Sequence, residues 1–270
     1  MILKKNFYFF LIALLALMSA TCKESTKTNT SADVNERSPA HHELDIIDPN
    51  TAWQLIINAE LDSLYPMYTR EAYKVSDKGE IVRGNLKIMD LYKQKGLVIN
   101  EIGSVVRIDA VLDGNITYEI GNFSTPDRTS YAHLIIWRKE GDLVRREFEL
   151  VKERVPNTPV PSAIEERRQM WMALCNAHKI TELINTLYTE NTLYYNHRPM
   201  VVGREAVMDE YQYMTDPEYN LRLEPLTVEA VNENLVFEIG QCSGSYQGNY
   251  LLVWKKGEDG NWRILIDSNI

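Results

Sequence analysis

Residues 237–240 read Phe-Glu-Ile-Gly, and residues 118–121 read Tyr-Glu-Ile-Gly. The neighbours of these two strings keep step on both sides. Upstream, Trp53 matches Trp171, and Tyr68-Thr69-Arg70-Glu71 matches Tyr188-Thr189-Glu190-Asn191. Gly84 with residues 85–92 matches Gly203 with residues 204–211. Downstream, Ile136-Trp137-Arg138-Lys139 matches Val253-Trp254-Lys255-Lys256. The offsets stay between 117 and 120, so loops absorb only small changes in length. Matches in this order mark an internal duplication.

Each copy carries the same pattern of elements. Apolar residues at three- and four-residue intervals predict a first helix over 50–64 and again over 163–182, as in Trp171, Leu174 and Cys175, then Ile180, Leu183 and Ile184. A short helical turn then ends at Tyr68 or Tyr188. Strand pairs follow (72–75 with 81–82; 192–196 with 200–202), then a helix opening after Gly84 or Gly203. The rest reads as strands: 98–111, 115–123, 130–138 and 143–150, then 219–231, 234–243, 246–256 and 261–267. Turn chemistry separates them, as at Asp113-Gly114-Asn115 and Gly257-Glu258-Asp259-Gly260. Helices first and strands after predict an α+β unit, its helices on one face of an antiparallel sheet.

The flanks divide the chain further. Lys4 and Lys5 precede an apolar run from Phe7 to Met18, followed by Ser19, Ala20, Thr21 and Cys22. Such a run is too short to span a bilayer of about 30 Å, so residues 1–22 are expected to be a signal peptide. Its end resembles a bacterial lipobox, with Cys22 as the lipidated residue. Residues 23–45 are polar, too poor in large apolar side chains to offset their ordering entropy, and are expected to form a disordered tether. Pro156, Pro159 and Pro161 mark a linker at 153–162 between units at 46–152 and 163–270. Hydrophobic residues at 44% give each unit enough material for a core, and a net charge of −9 argues against nucleic acid. Cys175 and Cys242 read as buried thiols more readily than as a disulfide. The five His and three Cys form no metal-ligand spacing, so no metal and no cofactor is expected.

The strings Gly203-Arg204-Glu205-Ala206-Val207, Phe237-Glu238-Ile239-Gly240, Tyr-Leu-Leu-Val-Trp-Lys-Lys at 250–256 and Asp-Gly-Asn-Trp-Arg-Ile-Leu-Ile-Asp at 259–267 resemble the NTF2-like superfamily, and within it the SnoaL-like branch. The resemblance covers residues 163–270. Residues 46–152 carry it more weakly, with Val144-Arg145-Arg146-Glu147-Phe148-Glu149 in place of the closing Trp and Asp. It implies two tandem cystatin-like cones, each a curved antiparallel sheet packed on N-terminal helices around a pocket. Members of that superfamily include isomerases, cyclases, dehydratases, small-ligand binders and association modules, so the resemblance leaves the activity open.

Candidate residues follow from the strands. Glu119 and Glu238 sit at one place in the two copies, with Tyr118 and Ile120, or Phe237 and Ile239, alternating to the other face. Inside an apolar pocket such a Glu gains a raised pKa suited to acid–base work. On an outer or edge face it would pair with a cation such as Lys255 or Arg263, the expectation that carries more weight. Asp267 closes the last strand, where Ile264 and Ile266 are expected to alternate with Leu265 and Asp267. Glu238 and Asp267 are the candidate catalytic bases. Glu119, Tyr195, His197, Tyr211 and Tyr250 are the candidate pocket residues, with Tyr246 a further tyrosine of that kind. His133 reads as a core histidine, and the Trp residues as core anchors.

The functional expectation is an exported, lipid-anchored protein of the cell envelope, on the outer-membrane or periplasmic side. Its expected partner is a small apolar or amphipathic molecule or an envelope protein, its contact with membrane is through the lipid alone, and its units form an internal pseudo-dimer or pair with a second chain. The alternative is a pocket enzyme of ketosteroid-isomerase or SnoaL-like type using a carboxylate base in the second unit.

Overall fold

The computed structural model describes residues 47–196 and 199–270. The signal peptide, Cys22, the tether through residue 45 and His197 lie outside the described residues. The first helix, α1 (Pro49–Ala59), starts where the Asp48 carboxylate accepts from the Asn50 and Thr51 amides, with Pro49 in the first turn. It is shorter than the periodicity predicts. Glu60 is extended, and 3-10 turns at Leu61–Ser63 and Tyr65–Met67 follow.

The matching helix in the second half is also divided, into α3 (Ala163–Asn176) and α4 (Ile180–Leu187). The buried stripe of α3 runs through Ile164, Arg168, Trp171 and Cys175. One more turn would bring polar His178 and Lys179 into the core. Instead His178 adopts φ 59, and α4 restarts with Ile180, Leu183, Ile184 and Leu187 buried. The remaining helices, α2 (Asn85–Lys95) and α5 (Arg204–Glu210), both open at a glycine, as the repeat predicts.

Twelve strands form two six-stranded sheets. In the first half they are β1 (Tyr68–Val75), β2 (Ile81–Arg83), β3 (Glu101–Asp109), β4 (Ile116–Ser124), β5 (Ser130–Glu140) and β6 (Leu143–Glu153). In the second half they are β7 (Tyr188–Tyr194), β8 (Val201–Val202), β9 (Leu221–Asn232), β10 (Leu235–Gly244), β11 (Gly248–Lys256) and β12 (Trp262–Ser268). The orders are β2-β1-β6-β5-β4-β3 and β8-β7-β12-β11-β10-β9, the same topology twice. All pairings are antiparallel except β1 with β6 and β7 with β12. The bulges also repeat: the register shifts at Ile136/Trp137 in one sheet and at Val253/Trp254 in the other.

That bulge corrects the alternation expected for the last strand. It inserts one residue, so Ile264 and Asp267 face the helices while Leu265 and Ile266 both face away.

Three apolar clusters hold the chain together. Trp53, Ile57, Tyr68, Ile88 and Tyr92 lie between helices and sheet in the first half, and Trp171, Ile184, Tyr188, Tyr211 and Trp254 in the second. The third joins the halves: Tyr118, Ile120, Ile136 and Phe148 share one buried cluster with Tyr195, Phe237, Ile239 and Val253. Polar ties cross the same boundary. The Ile270 amide donates to Tyr118 Oη at 2.8 Å, the Val155 amide donates to the Val231 carbonyl at 2.9 Å, and Arg154 pairs with Glu229 at 3.1 Å. Ile239→Ala in this shared cluster is expected to destabilise the chain by about 2–4 kcal/mol. Urea unfolding should remain one transition at a lower midpoint; two separated transitions would show the halves to be independent.

Candidate ligand site

On β4 and β10 the residues on either side of the glutamate enter the cluster between the halves, so the glutamate itself points toward the helices. Pairing across the sheets then sets two carboxylates in one row per half. Glu238 lies opposite Leu252, and Leu252 opposite Asp267. Glu119 lies opposite Ile135, and Ile135 opposite Glu149. The two carboxyl-bearing strands of each row are thus about 10 Å apart, two strand spacings. Glu149 therefore occupies the place of Asp267, which the charged string at 144–149 conceals.

Glu238 is fully buried and fully engaged. Arg168 on α3 donates through Nε at 2.7 Å and Nη2 at 3.0 Å, Tyr250 Oη donates at 2.7 Å and Trp254 Nε1 at 2.8 Å. The expected outer-face pairing is corrected here. Arg263 binds Asp259, and Lys255 donates to the Asp77 carbonyl, because both cations project away from the helix-facing side.

Glu119 is held in the same manner by Asn50 Nδ2 at 2.9 Å, Arg107 Nε at 2.5 Å and Trp137 Nε1 at 2.9 Å. His133 Nε2 lies 2.9 Å from it without hydrogen-bond alignment. Burial alone would raise the Glu119 pKa; the His133 ring, Asn50 and Arg107 outweigh it and hold the carboxyl well below its usual range. Gly121 and Gly240 make both arrangements possible. A Cβ on Gly121 would lie 2.4 Å from His133 Nε2, and one on Gly240 2.2 Å from Tyr250 Cζ, so each glycine leaves room for the ring that crosses it toward the glutamate.

The second carboxylate of each row sits in a shared plan with one difference. Tyr188 and Tyr211 both donate to Asp267 Oδ2 at 2.6 Å, and Trp171 Nε1 donates to Tyr188 Oη at 2.9 Å. In the first half Tyr68 donates to Glu149 Oε2 at 2.7 Å, Tyr92 donates to Oε1, and Trp53 Nε1 donates to Tyr68 Oη at 3.2 Å. Glu149, however, is also met by Lys74 and by Arg146 Nη1 at 2.5 Å. The residues at the corresponding register are Tyr194 and Ile264, and no cation lies within 4.0 Å of Asp267 among the described residues. Burial pushes Asp267 up to about 6, against the two phenol donors. Burial acts on Glu149 too, but Lys74 and Arg146 overcome it and keep that carboxyl ionised far below its ordinary value.

Asp267, 4% exposed, borders a water-sized void of about 20 Å³ lined also by Trp171, Tyr211, Cys242, Tyr250 and Leu252. Tyr213, Tyr219, Tyr246 and Asn269 border both this void and an outer groove of about 510 Å³, which is also lined by Leu112, Asp113, Tyr194, Asn196, Ser245 and Ile270. A second open groove of about 640 Å³ runs along α3 beside Arg168. Of the residues read from the sequence, Asp267, Tyr211, Tyr246 and Tyr250 meet at this site.

Glu238 stands two strands away, and Glu119 belongs to the other half. Tyr195 is corrected: it lies in the cluster between the halves, stacked on Phe148 at 5.9 Å and donating to Glu147, because it follows β7 on the side facing the first half. Tyr188, Arg168, Trp171, Tyr213, Tyr219 and Glu149 carry no motif of their own in the sequence. The alignment of Tyr68 with Tyr188 and of residue 92 with residue 211 was the available signal. All five Trp are buried, and Cys175 and Cys242 are buried free thiols that burial pushes up to about 12. Among the described residues no group of three or more His, Cys, Asp or Glu is placed to hold a metal ion.

Strand order, the parallel closing pair and the helices laid across one face are now in view for both halves. The fold is NTF2-like, twice. No family model matches the chain, and no curated protein does. Solved structures similar to it include an NTF-2 like protein of unknown function from Shewanella oneidensis MR-1 (14% identity, 40% of this chain and 95% of that one, TM-score 0.36). Another is a domain of unknown function with a cystatin-like fold from Nostoc punctiforme PCC 73102 (20% identity, 40% and 74%, TM-score 0.35). A third is a ketosteroid isomerase-like protein from Erwinia carotovora atroseptica SCRI1043 (19% identity, 40% and 95%, TM-score 0.34).

The state of Asp267 has a consequence for stability. Its folded pKa of about 6 lies above the ordinary 3.8, so its contribution is full below that lower value and is lost as pH rises through 6. The stability of the wild type relative to Asp267→Asn is expected to fall by on the order of 3 kcal/mol between pH 4 and pH 7. Urea unfolding of both chains at the two pH values checks it.

Proposed function

We propose that this chain is an exported, lipid-anchored binding protein whose second half takes a small amphipathic molecule. The observation that supports this most is the groove of about 510 Å³, bordered by Tyr194, Tyr213, Tyr219 and Tyr246 and adjoining a void that ends on one buried carboxyl. Its volume falls within the range of small-molecule sites, and its tyrosine rings, interspersed with the polar groups of Asp113, Asn196, Ser245 and Asn269, suit a molecule with an apolar body and polar groups. At Glu149 in the first half, Lys74 and Arg146 stand where Tyr194 and Ile264 stand around Asp267. In this proposal the first half is a support, joined to the second as an internal pseudo-dimer through their common apolar cluster. Export and anchoring rest on Lys4, Lys5, the apolar run and Cys22, with the polar stretch after it as the tether.

One observation favours a second function, acid–base catalysis of the ketosteroid-isomerase type: Asp267 is pushed up to about 6 by burial, the range of a working general base. Against it, Tyr188 and Tyr211 direct their protons at Asp267 itself, so neither is left to stabilise an oxyanion on a substrate. Glu238 is saturated by its four donors and offers no second acid or base. Binding is the better account.

Thermal-shift measurements with 2-phenylethanol, phenethylamine and decanoate test the ligand site. At least one is expected to raise the melting midpoint, and Tyr213→Ala with Tyr246→Ala is expected to remove the effect; no stabilisation by any of the three would end the ligand proposal. Anchoring is tested by growing bacterial cells that express the chain with an alkyne fatty acid. Label is expected on the wild type and absent from Cys22→Ser; an unlabelled wild type would contradict it.

A further inference from the structure

The duplication provides an internal comparison for the ligand's chemistry. Glu149 and Asp267 occupy one register position, each beside a tyrosine that opens a strand and another from a helix end. In the first half the protein brings its own ammonium to this place. Lys74 Nζ pairs with Glu149 and lies 4.6 Å from the centre of the Tyr92 ring, within cation–π range. In the second half Tyr194 stands at the register of Lys74, and its hydroxyl is turned to Asn269 at 2.6 Å. Ile264 stands at the register of Arg146. Asp267 thus keeps the carboxylate and the ring of Tyr211, while no cation among the described residues lies within 4.0 Å of it.

From this geometry we infer that the molecule bound in the second half is an organic ammonium, its charged head beside Asp267 and its apolar body among the tyrosines of the groove. The inference rests on the ligand-binding function proposed above and narrows its substrate class. An ammonium head is close to water in size, and the void beside Asp267 holds about one water. Tyr211 borders the void at the place where Tyr92 lies beside Lys74, and Tyr213, Tyr219 and Tyr246 line the groove for the body. A carboxylate-bearing ligand would meet Asp267 as a like charge, and a neutral one would leave it without a counter-ion.

The test is titration calorimetry of the full chain at pH 7.5 with phenethylamine and with 2-phenylethanol, its neutral counterpart. Phenethylamine is expected to bind saturably and at least tenfold more tightly than the alcohol. Asp267→Asn is expected to weaken the amine by roughly 10- to 100-fold, the loss of a charge-assisted hydrogen bond, and to leave the alcohol unchanged. A folded control keeps the experiment decisive if that variant is unstable. Tyr194→Lys introduces the ammonium of the first half and is expected to abolish amine binding, whereas Tyr194→Met, which removes the same groove ring without adding a charge, is expected to weaken the amine and the alcohol by the same factor and to leave amine binding measurable. Equal binding of amine and alcohol would overturn this inference and leave the ligand site standing. Binding of neither would remove both, and undiminished amine binding by Tyr194→Lys would remove the head from Asp267.

Discussion

Among the described residues five carboxylates, Glu119, Glu147, Glu149, Glu238 and Asp267, are buried, and each must be compensated for the water it gives up. Taking a charge out of water costs several kcal/mol even after the protein relaxes, so such a group persists only where donors or cations converge on it. Here the donors come from the helices as well as from the sheet. Asn50 on α1 and Arg168 on α3 reach Glu119 and Glu238, while tyrosines from both ends of the helical layer reach Glu149 and Asp267. The carboxylates therefore fix where each helix lies on its sheet. The opposite face is mainly apolar, with Glu147 held there by Arg138 and Tyr195, and it is this face that the two halves share.

The copies meet the same requirement in different ways. At the Glu119 and Glu238 position, one half uses an asparagine, an arginine and a tryptophan, and the other an arginine, a tyrosine and a tryptophan. At the Glu149 and Asp267 position the difference is one of charge. Two cations and two phenols surround Glu149, and phenols alone surround Asp267. A duplicated fold can let one copy carry stability while the other holds an unfavourable charge in a binding site. The two cations beside Glu149 and the small void beside Asp267 fit that division.

Much of this was legible before any coordinates. The spacing of Trp53 and Trp171, and of Tyr68 and Tyr188, places the repeat and its register. Alternation around Phe237-Glu238-Ile239 assigns the glutamate to one face and its neighbours to the other. Alternation does not say which face meets the helices, because both faces of this sheet are covered by protein and neither reads as solvent-facing. The partners of Glu238 and Glu119 were hidden for a related reason: Arg168 and Asn50 lie about seventy residues away on helices whose rotation is set by packing. The bulge near Trp254 shifted Leu265 and Ile266 onto one face, a change that a two-residue period cannot express. The same bulge near Trp137, within a string of charges, disguised Glu149 as surface.

The proposed site requires Asp267 to be a carboxyl with no counter-charge among the described residues, beside a twin that has two. Site-resolved carbon-13 NMR titration of the Asp267 and Glu149 side-chain carboxyls measures this directly. Asp267 should titrate near pH 6 while Glu149 stays ionised through pH 4 to 8. An Asp267 midpoint below its ordinary 3.8 would show that a cation already reaches it, and would contradict the account.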